Sequence, residues 1–353
     1  MAQDYELDLH SFWLENDRAR REGTKGKRIP LSMTLDGDWI CEYLKLDNSR
    51  YYSEYQYQQD NRLRCSEITE RELGLPIRPA IDFGVIMDAS IYGGKVNYRP
   101  NATPTLEPVV NSPEEIDDLI KRMSKADLLD QGLIPKFFEW RAKLKADFGI
   151  NVTYGWGIKG CATMMGQICS ITNFLTWIMT HPTQIRKLIQ CWHETTIRYI
   201  QAMKEATGFP SEQTGFSFAS DVAGMLSPEL YRDFIMEAEK DIYQVFAPGN
   251  DDIRYYHADF RMAHHLDALR EIGVNAVNID PYIEVKDILA KMPDVTIHGQ
   301  VPPLDVLLYG TPEDVVNRVR LDIEQAGSDG KLVVSTVGSI VPGTSFENLR
   351  AMC

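Results

Sequence analysis

The sequence predicts an α/β fold built as a closed (β/α)8 barrel. Eight short runs rich in β-branched and aromatic residues recur along the chain, and each ends in a polar residue or glycine. Helical patterns separate these runs, which is typical of parallel strands joined by helices. The 353 residues leave room for a barrel of about 250 residues with insertions. An open doubly wound sheet is the alternative, but no GxGxxG loop follows the first predicted strand.

The predicted strands run through the chain in order, with helix starts between them. Ser112-Pro113-Glu114-Glu115 and Thr311-Pro312-Glu313-Asp314 each place a hydroxyl residue, a proline and an acidic residue as at the start of a helix. Gly273 ends another predicted helix. The eight predicted strands are Ile29–Thr34, Phe83–Met87, Asn151–Gly155, Thr214–Ala219, Ile253–His257, Val274–Ile279, Val295–His298 and Leu332–Thr336.

Two helical additions complete the predicted architecture. Residues 1–28 form an N-terminal helical extension, with a helix at about Leu9–Arg21. Residues from about 40 to 80 form a second, mainly helical insertion rich in Tyr and Arg. The sequence contains no internal repeat and no linker-like run, so residues 1–353 are interpreted as a single barrel domain.

Composition excludes several classes of function. The 37 Lys and Arg against 51 Asp and Glu give a net charge of −14, which disfavours nucleic acid and anionic membranes as partners. The longest apolar stretch, from Gly149 to His181, contains Lys159 and indicates buried core rather than a membrane span. There is no secretory signal, and the six cysteines show no CxxC pairing. Together these features predict a protein of the reducing cytoplasm.

The candidate functional residues follow the predicted strands, because the active site of such a barrel lies at the carboxyl ends of its strands. These positions are rich in carboxylates and imidazoles and hold no lysine or arginine. They are Met33, Asp36, Asp88, Tyr154, Trp156, Ser220, Asp221, His257, Asp259, Asp280, His298, Gln300, Ser335, Thr336 and Ser339.

His257-Ala258-Asp259 is the sharpest local feature. At the end of a strand, residues i and i+2 point to the same side, so the imidazole and the carboxylate can face one point. Zinc accepts both donor types, and Asp221 supplies a further carboxylate after the preceding strand. The alternative is a His–Asp hydrogen bond that fixes the imidazole tautomer, or a helix-capping Asp. Glu237 is a further candidate ligand, or a surface charge, and His264 and His265 are interpreted as solvated.

Other strand-end residues are candidates for substrate binding. Four apolar or aromatic side chains can form a slot for a planar ring, although packing in the barrel core would account for these side chains equally well. Asp36, Asp280 and Gln300 are polar candidates, while Asp280 also suits a turn and Gln300 a backbone hydrogen bond. The residues of the apolar slot are Met33, Met87, Tyr154 and Trp156.

A set of longer motifs carries a resemblance to a known family. The motifs are Asp221–Glu229, Gly273–Pro281, His298–Pro303, Leu308 with Gly310–Val315, Ser335–Thr344 and Glu347–Met352. They resemble the uroporphyrinogen decarboxylase superfamily, strongly over residues 214–353 and more weakly from about residue 29. The resemblance implies a distorted (β/α)8 barrel, in agreement with the strand pattern.

Two branches of the superfamily must be distinguished. Uroporphyrinogen decarboxylases bind an octacarboxylate through paired arginines after the first strand, where this chain has Asp36 and Asp38. These acidic residues would repel such a substrate. The resemblance therefore favours the corrinoid-dependent methyltransferases, many of which bind zinc through a His-x-Cys pair and a later cysteine. Here His257 matches the histidine, Asp259 stands at the first cysteine, and Gly338 or Ser339 at the second.

The replacement of thiolate ligands by carboxylates changes the substrate that a bound metal would prefer. Carboxylates leave a metal as a harder Lewis acid that favours oxygen over sulfur. Relatives that demethylate aryl methyl ethers use carboxylate and histidine ligands, and Asp221, Glu237 and His257 fall in comparable places, with Asp259 as a fourth candidate.

The resemblance predicts a methyltransferase that moves a methyl group from a small methoxylated aromatic to the cobalt(I) corrinoid of a partner protein. Asp221, His257 and His298 are the predicted catalytic residues, with zinc, or His298 as general acid, assisting the leaving oxygen. The alternatives are transfer from a methylcorrinoid to an acceptor, decarboxylation of a smaller acid, and a barrel that only binds a ligand.

Overall fold

The computed structural model describes residues 8–22, 28–327 and 330–353. Helices and short strands alternate through most of this part of the chain. The helices are α1 (Leu9–Glu22), α2 (Gly37–Leu44), α3 (Asn48–Ser53), α4 (Tyr55–Leu73), α5 (Met87–Ser90), α6 (Ile116–Met123), α7 (Ile134–Phe148), α8 (Cys161–Cys169), α9 (Ile171–Thr180), α10 (Pro182–Thr207), α11 (Pro228–Leu230), α12 (Met236–Phe246), α13 (Leu266–Glu271), α14 (Val285–Lys291), α15 (Pro312–Ala326) and α16 (Phe346–Ala351). The strands are β1 (Val96–Arg99), β2 (Ala102–Leu106), β3 (Gly157–Lys159), β4 (Phe216–Ala219), β5 (Arg254–Ala258), β6 (Ala276–Ile279), β7 (Thr296–Val301) and β8 (Leu332–Thr336).

The chain divides into two compact units. The central unit consists of Asp47–Tyr55 and Ala80–Asp280. The terminal unit consists of Met1–Leu46, Gln56–Pro79 and Pro281–Cys353. The interpretation of residues 1–353 as one barrel domain stays a prediction.

Parallel strands form the framework of the central unit. Strand β3 pairs with β4, β4 with β5 and β5 with β6, so these strands neighbour one another in chain order. The register aligns four residues near the carboxyl ends of the strands, namely Lys159, Ala219, His257 and Asn278. Because the strands are parallel, the segments that follow them emerge at one edge of the sheet.

Apolar residues of β4 and α10 build the core behind these strands. Phe216 and Phe218 of β4 are buried, and the Phe216 ring stacks on Phe246 of α12 at 5.0 Å. Helix α10 begins with Pro182 at its first position and ends at Gly208, whose φ of 68° suits a residue without a side chain. Its core-facing residues recur at helical spacing, which places the long helix against the sheet.

The N-terminal helix is tied to the sheet of the terminal unit. The Asn16 side chain of α1 accepts a hydrogen bond from Leu31 N at 2.7 Å and donates one to Leu31 O at 2.9 Å. Leu31 in turn forms a parallel bridge with Val334 of β8, which pairs with β7. The predicted helix at Leu9–Arg21 is therefore observed, while residues 1–7 and 23–27 of the predicted extension lie outside the described residues.

The helix starts predicted at Ser112 and Thr311 differ in their capping hydrogen bonds. Thr311 and Asp314 form the full capping box at the start of α15. At Ser112 a 3-10 helix begins with Pro113, but the Ser112 side chain makes no capping hydrogen bond. The sequence pattern located both starts.

Three predicted strands are wrong in whole or in part. The run Ile29–Thr34 makes only the isolated bridge at Leu31, since Pro30 has no N–H to extend a ladder. The run Phe83–Met87 is interrupted by Gly84, whose φ is 68°, and its last residue, Met87, already begins helix α5. The remaining predicted strands from residue 214 onward are observed, with bounds shifted by up to three residues.

The third misplaced strand matters for the site. Residues 151–155 are held by helices instead of by a sheet: Arg141 of α7 donates to Val152 O and to Asn151 Oδ1, and Thr207 Oγ1 of α10 accepts from Tyr154 N. Gly155, with φ 149°, then turns the chain into β3 at Gly157–Lys159. The strand ends four residues later than predicted, and its last residue is a lysine.

Two further features concern the whole described chain. Among the described residues, no helix combines the length and apolar character needed to cross a membrane. All six cysteines have free thiols, and only Cys353 is not fully buried.

Candidate functional site

One group of side chains in the central unit has the donor types and spacing of a metal site. Asp221, His257 and Asp259 each bring one ligand atom to within 4.8 Å of the others. Asp221 lies two residues beyond β4, His257 lies on β5, and Asp259 follows the end of β5. The parallel strands therefore deliver all three side chains to one edge of the sheet, as the sequence predicted.

The geometry of this group follows from the strand end and from one backbone hydrogen bond. His257 Nε2 and Asp259 Oδ1 are 3.5 Å apart, because residues i and i+2 at the end of a strand point to the same side. Asp221 Oδ1 accepts a hydrogen bond from Asp259 N at 2.7 Å. This bond uses one oxygen of Asp221 and leaves the other oxygen for a ligand.

The electrostatics of Asp259 favour a cation at this point. Although the side chain reaches solvent, surrounding protein atoms raise the pKa of its carboxyl group above the usual value. His257 opposes this rise, and the nearby carboxylate of Asp221 adds to it. Two carboxylates at this distance repel each other, and a divalent cation between them would relieve the repulsion.

The ring of His257 has a second partner on the neighbouring strand. His257 Nδ1 lies 2.9 Å from Oδ1 of Asn278, which is buried near the end of β6. A metal-ligating histidine commonly uses its other ring nitrogen in this way. No local sequence pattern singles out Asn278, because only the β5–β6 register brings it beside His257.

Two histidines hold the segment that carries Asp221. His265 Nε2 donates to Ala223 O, and His264 Nε2 donates to Leu226 O, both at 3.0 Å. The interpretation of these histidines as solvated is wrong for His265, which is fully buried. Burial, and then the neighbouring His264, lower the pKa of His265 to about 4, so its ring is neutral at pH 7.

The residues present fit a zinc ion in a catalytic arrangement. One imidazole nitrogen and two carboxylate oxygens are zinc ligands, and three protein ligands leave a fourth position for substrate. The structure does not bring Glu237 to this group. Its side chain is 73% exposed and lies 3.8 Å from Lys240, whereas Glu239, two residues further along α12, is fully buried. Residues two apart point to opposite sides of a helix, so only one of the two can face inward.

Comparison with known proteins identifies the family of the chain. The model of the uroporphyrinogen decarboxylase (URO-D) family matches residues 19–353. The chain belongs to the URO-D family.

Two curated relatives of the chain are named methyltransferases. The chain is 23% identical over 274 residues to a methylated-thiol–coenzyme M methyltransferase of Methanosarcina mazei, covering 76% of this chain and 69% of the relative. It is 22% identical over 275 residues to a methylcobamide:CoM methyltransferase of Methanosarcina barkeri, covering 76% and 74%. These names confirm the predicted resemblance to the methyltransferase branch of the superfamily.

A solved structure gives the same fold. A methyltransferase from Methanosarcina mazei superimposes with a TM-score of 0.67 at 18% identity, covering 98% of this chain and 97% of the other. The predicted α/β fold, in the distorted (β/α)8-barrel class with an N-terminal helical extension, is thereby confirmed.

In this URO-D family member, a buried ion pair lies at the end of β3. Lys159 Nζ is 2.6 Å from Asp88 Oδ1, and Asp88 Oδ2 accepts from Lys159 N at 2.8 Å. The side chains are only 11% and 8% exposed, respectively. The expectation of strand ends without a cation is therefore wrong, because the misplaced third strand hid Lys159.

A second buried polar group of the URO-D chain centres on Glu239. Its Oε1 accepts from Cys161 N at 2.9 Å, and its Oε2 accepts from the Tyr231 hydroxyl at 2.8 Å. Burial raises the pKa of Glu239 to about 7, against the opposing effect of these hydrogen bonds. The carboxyl lies next to Gly160, where a Cβ would come within 2.8 Å of its Oε1.

The residues predicted to bind substrate in the central unit lie before β3 and at the start of α5. Tyr154 and Trp156 precede β3, and the Trp156 ring lies against Gly215, just before β4. The strand on which their prediction depended is wrong, and the structure does not bring them to the strand ends with Asp221. Met87 opens α5 next to Asp88.

Asp280 has a structural partner at the end of β6. It is buried, its Oδ2 accepts a hydrogen bond from Met262 N at 2.9 Å, and its φ of 48° is that of a turn residue. These contacts agree with the alternative interpretation of Asp280 as a turn residue. A role in substrate binding stays a prediction.

The remaining predicted residues of the URO-D chain belong to the terminal unit. Asp36 caps α2 by accepting from Trp39 N at 3.2 Å, and Met33 is buried. Gln300 is buried and donates to Ile283 O at 3.0 Å, as the alternative of a backbone hydrogen bond predicted. Their roles in substrate binding stay predictions.

His298 also lies in the terminal unit, within β7. Burial, and then the positive charge of Arg20, lower the pKa of His298 to about 4. With such a pKa, only a small fraction of the imidazole is protonated at pH 7, so little of it can act as an acid. This environment weakens the case for His298 as general acid.

Proposed function

We propose that the protein is a corrinoid-dependent methyltransferase with a metal centre formed by Asp221, His257 and Asp259. The single observation that carries this proposal is the meeting of these three ligand atoms within 4.8 Å at the strand ends. Relatives at 22–23% identity that are named methyltransferases support the reaction class. A corrinoid protein is the partner that this reaction requires.

The methyl donor follows from the donor atoms. Oxygen and imidazole ligands without a thiolate make a hard metal centre, which favours an oxygen-bound methyl group over a thiol. We therefore assign as substrate a small methoxylated aromatic, from which the methyl group passes to the cobalt(I) corrinoid of the partner. Bound zinc would supply Lewis-acid assistance to the phenolate oxygen that leaves.

The chain's own residues have defined tasks in this scheme. Asp221 and Asp259 supply oxygen ligands, and His257 supplies Nε2. The hydrogen bond from Asp259 N to Asp221 fixes the two acidic residues relative to each other. His298, as a neutral imidazole, is the weaker candidate for assisting the leaving oxygen, so the metal is the favoured source of assistance.

Transfer in the opposite direction is the second candidate. The relative from Methanosarcina barkeri is named a methylcobamide:CoM methyltransferase, in which the methyl group starts on the corrinoid. A thiol acceptor would then replace the aromatic ether. The free thiols of all six cysteines support a reducing cytoplasm as the compartment for either direction.

A donor screen combined with metal analysis tests the proposal. The purified protein, loaded with zinc, is mixed with a reduced corrinoid protein and with guaiacol or veratrole. Appearance of a methyl–cobalt absorption spectrum supports the ether assignment. Methylation of a thiol by methylcorrinoid, without reaction of any ether, supports the second candidate. Absence of methyl transfer in both directions would contradict the proposed reaction class.

Variants connect the reaction to the site. We expect His257→Ala and Asp221→Asn to lose zinc and methyl transfer together. Asp233→Asn is a matched control, because Asp233 is an exposed carboxylate paired with Arg186. If His257→Ala and Asp221→Asn both transferred methyl groups at the wild-type rate, the assigned site would be wrong.

A further inference from the structure

Four residues form a straight row across the sheet of the central unit. Lys159 pairs with Ala219, Ala219 with His257 and His257 with Asn278. Side chains alternate between the two faces along each strand, and residues paired in parallel register share a face. His257 and Asn278 are therefore adjacent on one face, about 4.8 Å apart along the row.

The hydrogen bond between these two neighbours has a defined direction. His257 Nδ1 and Asn278 Oδ1 are 2.9 Å apart. An amide oxygen can only accept, so Nδ1 must carry the hydrogen. In a neutral imidazole only one nitrogen is protonated, and Nε2 is left with a free lone pair.

The free lone pair lies on the side of the acidic residues. Nε2 is the nitrogen 3.5 Å from Asp259 Oδ1, and His257 meets Asp221 in the same group. Asn278 is not a member of that group, and it is buried, so bulk water does not compete for its oxygen. The ring is thus held at Nδ1 and open at Nε2.

We infer that Asn278 is a positioning residue of the metal centre, which fixes the tautomer and orientation of His257 so that Nε2 binds the metal. The inference rests on the proposed metal centre. It adds a residue that contributes no ligand atom and acts only through His257. The opposite orientation of the Asn278 amide would donate to Nδ1, leave the hydrogen on Nε2, and prevent binding there.

Two substitutions separate the hydrogen bond from the bulk of the side chain. Asn278→Leu keeps a similar volume but removes the acceptor. Asn278→Asp keeps an oxygen acceptor at the same distance and should rescue the function. Outer-shell partners of metal-bound histidines typically change metal affinity by about 10- to 100-fold. We expect a loss of this size for Asn278→Leu and wild-type or tighter binding for Asn278→Asp.

Asn275→Leu is the matched control, because Asn275 directly precedes β6, the strand that carries Asn278. The Asn275 side chain accepts from Arg254 N at 2.9 Å and donates to Asp252 O at 2.8 Å, at the amino end of β5. Its substitution removes two partly buried hydrogen bonds and leaves the His257–Asn278 hydrogen bond in place. We expect this variant to lose stability and to bind zinc with wild-type affinity.

The experiment has two readouts besides activity. Zinc alone is titrated into the metal-free full-length protein by calorimetry. In parallel, long-range ¹H–¹⁵N spectra of the metal-free protein report which ring nitrogen is protonated, with His257 assigned by its absence in His257→Ala. In the wild type we expect a protonated Nδ1, and in Asn278→Leu a mixture of tautomers.

The outcomes distinguish this inference from the proposed function. Wild-type protein that binds no zinc would overturn both. Zinc binding by the wild type and equally by Asn278→Leu would overturn only the role of Asn278. A wild-type spectrum with hydrogen on Nε2 would overturn it as well, and this measurement needs no Asn278 variant to fold.

Discussion

The backbone N–H of Asp259 donates to the carboxylate of Asp221 at 2.7 Å, so each of these two acidic residues helps to place the other. The bond joins the segments that follow β4 and β5. It explains how two carboxylates, which repel each other, are kept together beside His257. A site of this kind is assembled before any ligand arrives.

Replacing Asp221 by asparagine tests charge separately from this hydrogen bond. Asparagine keeps an oxygen that accepts from Asp259 N, so we expect an almost unchanged melting temperature. Zinc affinity should fall by roughly 100-fold or more, since loss of a direct ligand exceeds the effect of losing an outer-shell partner. Calorimetric titration with zinc and a thermal melt of the same sample measure both quantities. Unchanged zinc affinity would remove Asp221 from the ligand set.

Gly224→Ala should disturb the site without altering a ligand. A Cβ at this position would lie 2.7 Å from Arg261 O and 2.8 Å from the Phe260 ring, so the segment after Asp259 must move. We expect zinc affinity to fall by about 10-fold, comparable to other indirect effects. Gly166→Ala is the control, because its Cβ would come no nearer than 3.0 Å to the Ile171 side chain and 3.5 Å to the Val222 side chain. Equal zinc affinities in the two variants would show that the loop adapts freely.

Removing the cation of the buried ion pair should destabilise the fold. In Lys159→Met, Asp88 keeps a buried negative charge without its partner, which typically costs about 3–5 kcal/mol of unfolding free energy. The double variant with Asp88→Asn should recover most of this loss. Lys187→Met is the surface control, since its pair with Asp117 is exposed and is worth about 0–1 kcal/mol. Urea denaturation measures all four proteins, and a loss in Lys159→Met no larger than in Lys187→Met would contradict the prediction.

Glu239 makes stability depend on pH in a definite direction. Its pKa is raised from 4.5 to about 7 in the folded protein, so the folded state binds the proton more tightly than the unfolded state. The stabilisation from this carboxyl is present below pH 4.5 and is lost as pH rises through 7. The total change is roughly 3 kcal/mol.

Glu239→Gln should flatten this dependence. We expect the variant to gain stability relative to the wild type between pH 5 and pH 8, as measured by urea denaturation at both values. Glu237→Gln, two residues away and exposed, should follow the wild type. If the free energy of unfolding changed with pH by the same amount in all three proteins, groups other than Glu239 would dominate the pH dependence of stability.

The sequence predicted the meeting of the three residues of the candidate metal group because they obey local rules. His257 and Asp259 share a side at a strand end, and Asp221 follows the preceding strand. Each of these placements requires only a correct strand and the rule that carboxyl ends meet at one edge. From residue 214 onward, β-branched and aromatic runs coincide with the observed strands, so the rule could be applied.

The parts that the sequence did not reveal depend on tertiary pairing. Asn278 meets His257 through strand register, which no local pattern encodes. Lys159 was hidden because the side chains of Arg141 and Thr207 hold residues 151–154 outside the sheet. Glu237 was preferred over Glu239, since the sequence does not tell which side of α12 faces inward.

The paired hydrogen bonds between Asn16 and Leu31 have a practical consequence. A side-chain amide that both donates to and accepts from Leu31 occupies backbone N–H and C=O groups with which another chain could pair. A version of the protein shortened to begin at residue 28 would expose these groups. Such a truncated protein should self-associate at concentrations where the full-length protein does not, even though every residue of the candidate metal group is still present.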